Sequence, residues 1–276
     1  MSDDRWPPPP GPDHSADPPG PAEPRRASEP MRLGTIIERA FAIHRGAIGT
    51  FALIALVSAL PLAVLGTLYQ LGSRPSDTSL RQSLALLVYA SAALLLIQPT
   101  ASGTAVATLD ALHGRRPDAS RALRAVGERI GPLFLVAVGF AVGVALGGAA
   151  FLIPGLVLCV IWLFAPLVVV TERRGPGASF RRSAELVRGR FWATIGTWIV
   201  LVLVFGALGL VATIPTEMIA AGLADGDRAV VLANALALIP GVLVLPLAHI
   251  ALALLYAERA RQADGTWPAP ERDAPA

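Results

Sequence analysis

The residues whose side chains could form a catalytic pair are a serine and a histidine. Ser179 follows Gly177-Ala178, and His249 lies in the last of several long apolar stretches. A serine hydrolase needs a base that takes the proton of the serine hydroxyl. Ser179, however, precedes Arg181 and Arg182 in a charged segment, where a serine is better suited to cap the N-terminus of a helix. We therefore assign no catalytic residue from this pair.

Other catalytic and metal-binding signatures are missing from the sequence. It contains no HExxH motif, no CxxC pair, no phosphate-binding loop ending in Lys-Ser or Lys-Thr, and no pair of aspartates within apolar segments. The single cysteine, Cys159, lies in an apolar stretch and cannot form an internal disulfide. The sequence therefore predicts a protein that is not an enzyme and that has no metal site and no cofactor.

The composition predicts a membrane protein. Hydrophobic residues make up 54% of the 276 positions and charged residues only 16%, and the mean hydropathy is +0.58. Six continuous apolar segments each have about the 17 to 25 residues, or more, that a membrane-spanning helix requires. They cover residues 47–70, 83–109, 132–152, 154–171, 192–214 and 229–256. Continuous apolar runs exclude a β-barrel, whose strands alternate, and the fold class is therefore predicted to be all-α and polytopic.

The regions outside these segments differ in composition. Residues 1–30 hold ten of the 24 prolines and almost no aliphatic side chains, so we predict a disordered, Pro-rich cytoplasmic tail and no signal peptide. Residues 31–258 form the predicted six-helix membrane domain, and residues 259–276 a second disordered cytoplasmic tail.

Arginines near the segment ends predict the orientation. Sixteen arginines lie on one side of the predicted spans, whereas the other side has only Arg74, Arg81 and Arg228. The positive-inside rule then places both termini and both basic loops in the cytoplasm. We expect a multi-pass protein of a bacterial cytoplasmic membrane. The arginines lie between apolar segments and not in a basic soluble domain, so anionic phospholipids are the expected partner and nucleic acid is not.

Three short amphipathic segments precede the three pairs of spans, which indicates three repeats of an interfacial helix plus a helical hairpin. Their apolar faces would contact acyl chains or the bundle, and their guanidinium groups would contact lipid phosphates or a partner. The alternative is that these segments only determine topology. The candidate contact residues are Arg121, Arg124, Arg129, Arg181, Arg182, Arg188 and Arg190.

Small residues and prolines are expected to specify how the spans pack. The GxxxGxxxG pattern of Gly139, Gly143 and Gly147 predicts close approach of another helix. Ile153-Pro154-Gly155 predicts a tight turn between the third and fourth spans. Prolines interrupt several spans and would bend helices or free carbonyl groups that line a cavity. These prolines are Pro61, Pro99, Pro166, Pro240 and Pro246.

Three polar residues in or beside the spans are candidates for buried sites. His249 is the one ionisable residue predicted at membrane depth, and Asn234 is predicted on nearly the same helical face. A proton or ligand contact at His249 competes with a hydrogen bond to a neighbouring helix near Gln98 or Thr100. Glu172 is predicted to form an interfacial ion pair with an arginine of the following helix.

One stretch carries a family resemblance. Ile153-Pro154-Gly155, Ala165-Pro166 and Glu172 precede Ser179-Phe180-Arg181-Arg182-Ser183 and Arg188-Gly189-Arg190-Phe191-Trp192. This run resembles the membrane domain found beside some bacterial glycerophosphoryl diester phosphodiesterases, which also occurs alone. Together with Leu33-Gly34 to Phe41, the resemblance covers roughly residues 31–258. This chain lacks the catalytic domain of the fused enzymes, so the resemblance implies no hydrolase activity.

Two functional hypotheses follow. The first is a non-enzymatic scaffold, accessory or regulatory module that engages anionic lipid headgroups, another membrane protein or a second copy of itself. The alternative is a transporter of a small solute or lipid that uses a site near His249 and the Pro-broken helices.

Overall fold

Every element of regular structure in the described part of the chain is an α-helix. A computed structural model describes residues 31–72, 79–150 and 152–265. The eleven helices within these ranges are α1 (Leu33–Gly46), α2 (Ile48–Gly72), α3 (Ser79–Leu112), α4 (Ala119–Glu128), α5 (Ile130–Ala150), α6 (Leu152–Ile161), α7 (Ala165–Thr171), α8 (Pro176–Val187), α9 (Phe191–Leu223), α10 (Gly226–Leu236) and α11 (Leu238–Asp264).

Five of these stretches are long and apolar enough to cross a membrane. They are Ile48–Gly72, Leu80–Leu112, Ile153–Thr171, Phe191–Leu223 and Leu238–Asp264. A sixth span is present if Ala119–Glu128 and Ile130–Val144, which meet at an angle of 72°, count as one bent element.

Large aliphatic side chains cover the outer surfaces of these helices. Several leucines, including Leu53, Leu68, Leu203 and Leu210, are more than half exposed. So much exposed apolar surface would be unstable in water but suits contact with acyl chains. The prediction of an all-α polytopic membrane protein is therefore confirmed, with five or six spans.

The helices follow the predicted repeat order of one short helix and then a pair of long ones. Helix α1 precedes α2 and α3, α4 precedes α5 and the α6–α7 stretch, and α8 precedes α9 and the α10–α11 stretch. The third repeat is longer because α10 is inserted between its two long helices.

Two predicted spans are each broken into two helices, and a proline lies just beyond each break. The segment predicted at 229–256 is divided between α10 and α11 at Ala237, where Pro240 provides no N–H for the carbonyl of Leu236. The segment predicted at 154–171 is divided between α6 and α7. Pro166 provides no N–H there, and the Trp162 carbonyl instead accepts the N–H of Ala165 at 3.0 Å.

The predicted hairpin between the third and fourth spans is present, but its turn is displaced. Ile153-Pro154-Gly155 lies in the first turns of α6 and is not the connection itself. Helices α5 and α6 approach closely at this point: a Cβ added at Gly147 would lie only 3.0 Å from the backbone of Gly155. The absence of a side chain on Gly147 therefore permits the hairpin to close.

The predicted tails need one correction. Helix α11 continues to Asp264 and ends at Gly265, whose φ of 79° is the left-handed conformation that terminates helices. The prediction of disorder is therefore wrong for residues 259–264, because apolar packing of α11 extends past the span. Residues 1–30 and 266–276 lie outside the described part of the chain.

Candidate functional site

The resemblance motif of α8 faces the protein interior. Ser179, Arg182, Ser183 and Leu186 are all buried, and their spacing of three and four residues places them on one face of the helix. Arg182 was predicted on the outer face because arginine side chains usually lie on polar surfaces. The recurrence of Ser, Arg, Ser and Leu at i, i+3, i+4 and i+7 is the signal that identifies this face.

Ser183 satisfies the backbone at the break between α6 and α7. Its Oγ donates to the carbonyl of Ile161 at 2.7 Å and accepts from the N–H of Phe164 at 3.1 Å. Polar backbone groups inside a membrane domain require such partners because no water is present to replace them. From α3, Ser102 Oγ donates to the carbonyl of Pro166 at 3.2 Å. Two serines of neighbouring helices therefore stabilise the Pro-broken span.

Ser179 does not cap α8. The cap position is Gly175, Pro176 begins the helix, and Ser179 Oγ donates back to the carbonyl of Gly175 at 3.0 Å. The prediction of a serine cap is wrong because proline, which suits the first helical position, starts the helix three residues earlier. Ser179 is also absent from the surroundings of His249 described below.

Glu172, which follows α7 directly, contacts side chains of α8 and α11. Its carboxylate accepts from Arg182 Nε at 3.2 Å, from Arg174 Nε at 2.7 Å and from the Tyr256 hydroxyl at 2.9 Å. The Arg182 guanidinium also pairs with Asp264. We call these five residues the Glu172 cluster. The cluster connects α8 to the end of α7 and to the C-terminal part of α11. Its contact between Glu172 and Arg182 is an ion pair with an arginine of the following helix, the kind of pair that the sequence predicted.

The electrostatics of Arg182 follow from this arrangement. Burial acts to lower the pKa of its guanidinium, but hydrogen bonding and attraction from Asp264 and Glu172 outweigh burial and raise the pKa above its usual range. Arg182 is consequently a charged structural group whose partners are carboxylates of this chain. It is not available to lipid phosphates, contrary to the sequence prediction.

Two further candidate arginines also have partners within the protein. Arg121 Nη1 lies 3.1 Å from Oδ1 of Asp110, whose side chain is almost completely buried at the end of α3. Arg129 donates to the carbonyls of Val169 and Arg174, at 3.4 and 3.1 Å. A cation suits this position because the C-terminal carbonyls of a helix carry partial negative charge.

The remaining candidate arginines are exposed. Arg124 of α4 and Arg181, Arg188 and Arg190 of α8 and the following turn all face outward. Within the described part of the chain, none of the four forms an ion pair. We call these four residues the outer arginines, and their guanidinium donors can bind external anions.

Asn234 and His249 are not brought together. Asn234 belongs to α10, where its amide donates to Gln70 of α2 at 3.3 Å and to the carbonyl of Val230 at 3.0 Å. The two residues belong to consecutive helices, α10 and α11, and Asn234 is not among the residues that line the space around His249.

His249 instead lines a cavity of about 330 Å³ inside the bundle. Gln98 of α3 and Cys159 of α6 line the same cavity, together with apolar side chains of α3, α5, α7, α9 and α11. His249 is 8% exposed, and its Nδ1 has no hydrogen-bond partner among the described residues. We call this space the His249 cavity.

Several buried polar side chains of α3 were not predicted from the sequence. They are Thr100, Ser102, Thr104, Thr108 and Asp110, which lie in a stretch of α3 that is buried on all sides. The Thr100 hydroxyl lies 2.6 Å from that of Ser58 in α2 and donates to the carbonyl of Ile54 at 3.1 Å. Spacings of two, two, four and two residues form no helical stripe, so the sequence contained no signal for these side chains.

Comparisons with protein-family models, with curated proteins and with solved structures give no match. Among the described residues, no group of three or more His, Cys, Asp or Glu side chains is arranged to hold a metal ion. The fold therefore defines the class of protein: an all-α integral membrane protein with several spans.

Proposed function

We propose that this protein is a non-enzymatic module of a bacterial cytoplasmic membrane and that its outer arginines bind anionic lipid headgroups. The observation that carries the proposal is the contrast within α8 and α4. Arg182 and Arg121 are paired with carboxylates, whereas Arg124, Arg181 and Arg188 face outward without an acidic partner among the described residues.

Lipid phosphate is the ligand that suits these side chains. A guanidinium group donates two parallel hydrogen bonds to a phosphate, and the interaction is strengthened by charge. Each arginine close to an anionic membrane surface contributes about 1 kcal/mol. Both termini and the helices α4 and α8 then lie on the cytoplasmic side, as the arginine distribution favours.

We also propose that the chain is a stand-alone relative of the membrane domain found beside some glycerophosphoryl diester phosphodiesterases. Support comes from the α8 motif, whose Ser183 and Arg182 join α8 to the α6–α7 break and to α11. Residues used in this way serve membrane-domain architecture and not hydrolysis.

The test is a titration of purified protein with phosphatidylglycerol and, separately, phosphatidylcholine, followed by native mass spectrometry. Changing all four outer arginines to glutamine should reduce affinity for phosphatidylglycerol by about tenfold or more and leave phosphatidylcholine binding unchanged. Added salt should weaken phosphatidylglycerol binding to the unsubstituted protein.

A matched comparison separates lipid binding from a general effect of charge. Arg188→Gln and Arg228→Gln each remove one exposed arginine, and Arg228 lies in α10 on the predicted opposite side. Only Arg188→Gln should weaken phosphatidylglycerol binding. If the variant with all four substitutions still prefers phosphatidylglycerol, the outer arginines do not bind this lipid and serve only to determine topology.

A further inference from the structure

The His249 cavity has an apolar wall and a small polar area. Phe140, Leu163, Trp198 and Leu252 are among the residues that form the wall. The polar groups come from Gln98, Cys159 and His249, which lie on three different helices. Its volume of about 330 Å³ is sufficient for a small organic molecule, because ligand pockets begin at about 300 Å³.

Two of these polar side chains are buried without a protein partner. Gln98 is 9% exposed and His249 8% exposed. Nδ1 of His249 is buried with no hydrogen-bond partner among the described residues. The Gln98 amide, which lines the cavity, also forms no hydrogen bond with a described residue. An unpaired polar group in an apolar interior is destabilising, because it loses its hydrogen bonds to water and gains none in return. A ligand that hydrogen-bonds with both side chains would recover this free energy.

One wall of the cavity reaches the outer surface of the bundle. Val202, which lines the cavity, is 51% exposed and lies on α9, one of the membrane-spanning helices. Neighbouring exposed residues on α9 are also apolar, including Leu203 and Val204. Access at this surface is therefore from the hydrocarbon region of the bilayer and not from water.

We propose that the His249 cavity binds an uncharged, membrane-dissolved molecule that has an apolar body and a single hydroxyl group. A hydroxyl both donates and accepts a hydrogen bond, so it pairs with the amide of Gln98 and with the imidazole of His249. A charged headgroup does not suit the cavity, because no side chain of opposite fixed charge lines it and charges at membrane depth are costly. This ligand site is independent of the outer arginines.

Cys159 provides a direct test because it is the only cysteine in the chain and it lines the cavity. Purified protein in lipid nanodiscs is treated with N-ethylmaleimide, and modification of Cys159 is followed by mass spectrometry with 1-octanol or octane present. The expected result is saturable protection by 1-octanol, with the rate of modification at least fivefold slower, and little protection by octane.

Variants identify the groups that recognise the hydroxyl. Gln98→Leu and His249→Leu should each raise the 1-octanol concentration needed for half-protection about tenfold. Gln70→Leu removes a glutamine that pairs with Asn234 outside the cavity, so this substitution should not change the 1-octanol concentration needed for half-protection. Thermal unfolding of each variant verifies that the fold is intact.

Three results would overturn the proposal. Equal protection by octane would mean that the cavity takes up any apolar molecule. Unchanged protection in both leucine variants would mean that Gln98 and His249 do not contact the hydroxyl. If N-ethylmaleimide does not modify Cys159, photolabelling with a diazirine derivative of 1-octanol is used in place of the maleimide experiment. Saturable labelling of residues 94–101 or 248–252 would support the site, and its absence would refute it.

Discussion

Arg181 and Arg182 are neighbours in sequence, yet one guanidinium faces outward and the other is buried between Glu172 and Asp264. At 3.6 residues per turn, adjacent positions of a helix point about 100° apart, so they can have different environments. At the scale of single residues, the position on α8 determines which arginine stabilises the fold and which can contact lipid.

Removing the charge of Glu172 should destabilise the protein, because it leaves buried Arg182 with Asp264 and the more distant, exposed Glu185 as its carboxylate partners. We expect Glu172→Gln to lower the free energy of unfolding by roughly 3 kcal/mol, the low end of the cost of breaking a buried pair. Glu185→Gln is the control, since Glu185 is 56% exposed and lies 3.9 Å from Arg182. Its effect should be within about 0.5 kcal/mol. The free energy of unfolding of each variant is measured by denaturation in mixed micelles. If Glu172→Gln and Glu185→Gln lower it equally, Glu172 does not have a central role.

Ser183→Ala should be more destabilising than Ser179→Ala, although both serines are fully buried on α8. Loss of the Ser183 hydroxyl leaves the Phe164 N–H and the Ile161 carbonyl without their side-chain partner, at a cost of about 1 to 3 kcal/mol. The Gly175 carbonyl that Ser179 contacts still accepts the backbone N–H of Ser179 at 2.9 Å. Unfolding in micelles measures both variants, and a Ser179→Ala effect as large as that of Ser183→Ala would disprove the assignment.

At the scale of helices, the glycine stripe of α5 has three different neighbours. A Cβ added at Gly139 would lie 3.1 Å from the ring of Phe180, and one at Gly143 would lie 2.2 Å from the ring of Trp162. These two rings contact each other, with centroids 4.7 Å apart. The predicted close packing therefore involves Trp162, which directly follows α6 in the same repeat as α5, and Phe180 of α8, in the next repeat.

Gly147→Ala should destabilise the α5–α6 hairpin by about 1 to 3 kcal/mol, because its methyl group would meet backbone atoms of Gly155 that cannot rotate away. Gly206→Ala in α9 is the matched control, since a Cβ there has no neighbour within 4 Å. That change should be neutral or slightly stabilising, because alanine has the higher helix propensity. Thermal unfolding in detergent compares them, and a harmless Gly147→Ala would show that the helices are not in close contact.

At the scale of the whole molecule, the three repeats share an order of elements but not an equivalent use of their short helices. Phe41 of α1 packs against Phe205, fourteen residues into α9, with ring centroids 6.1 Å apart. Arg121 and Arg129 tie α4 to the ends of α3 and α7, and Arg182 ties α8 to α7 and α11. The apolar faces of these short helices thus pack on the bundle, one of the two environments that the sequence left open.

The predicted topology places residue 120 and residue 227 on opposite sides of the membrane. Each is exposed and can carry a single cysteine in a Cys159→Ser background. A membrane-impermeant maleimide should label Ser120→Cys only in inverted vesicles and Asp227→Cys only in right-side-out cells. Labelling of both from one side would require an even number of spans between them, and would contradict cytoplasmic placement of both termini.

The sequence by itself determined the class of protein, the approximate spans, the repeat order and the glycine packing face. These features depend on local composition, because the length and apolarity of a segment decide whether it can replace water with hydrocarbon. The sequence also indicated that Glu172 would pair with a nearby arginine. It could not reveal the helix break at Ala237, since Asn234 and His249 belong to one continuous apolar run.

Only the tertiary structure decided which polar side chains are paired, exposed or left unpaired in the interior. Asp264 meets Arg182 across 82 positions of sequence, and Gln98 and His249 meet the same cavity from α3 and α11. Such contacts depend on how helices distant in sequence are placed side by side, and periodicity within one helix carries no information about its neighbour. The physical reason is that burial and pairing are properties of the whole packed bundle, whereas the tendency to enter a membrane is a property of each segment.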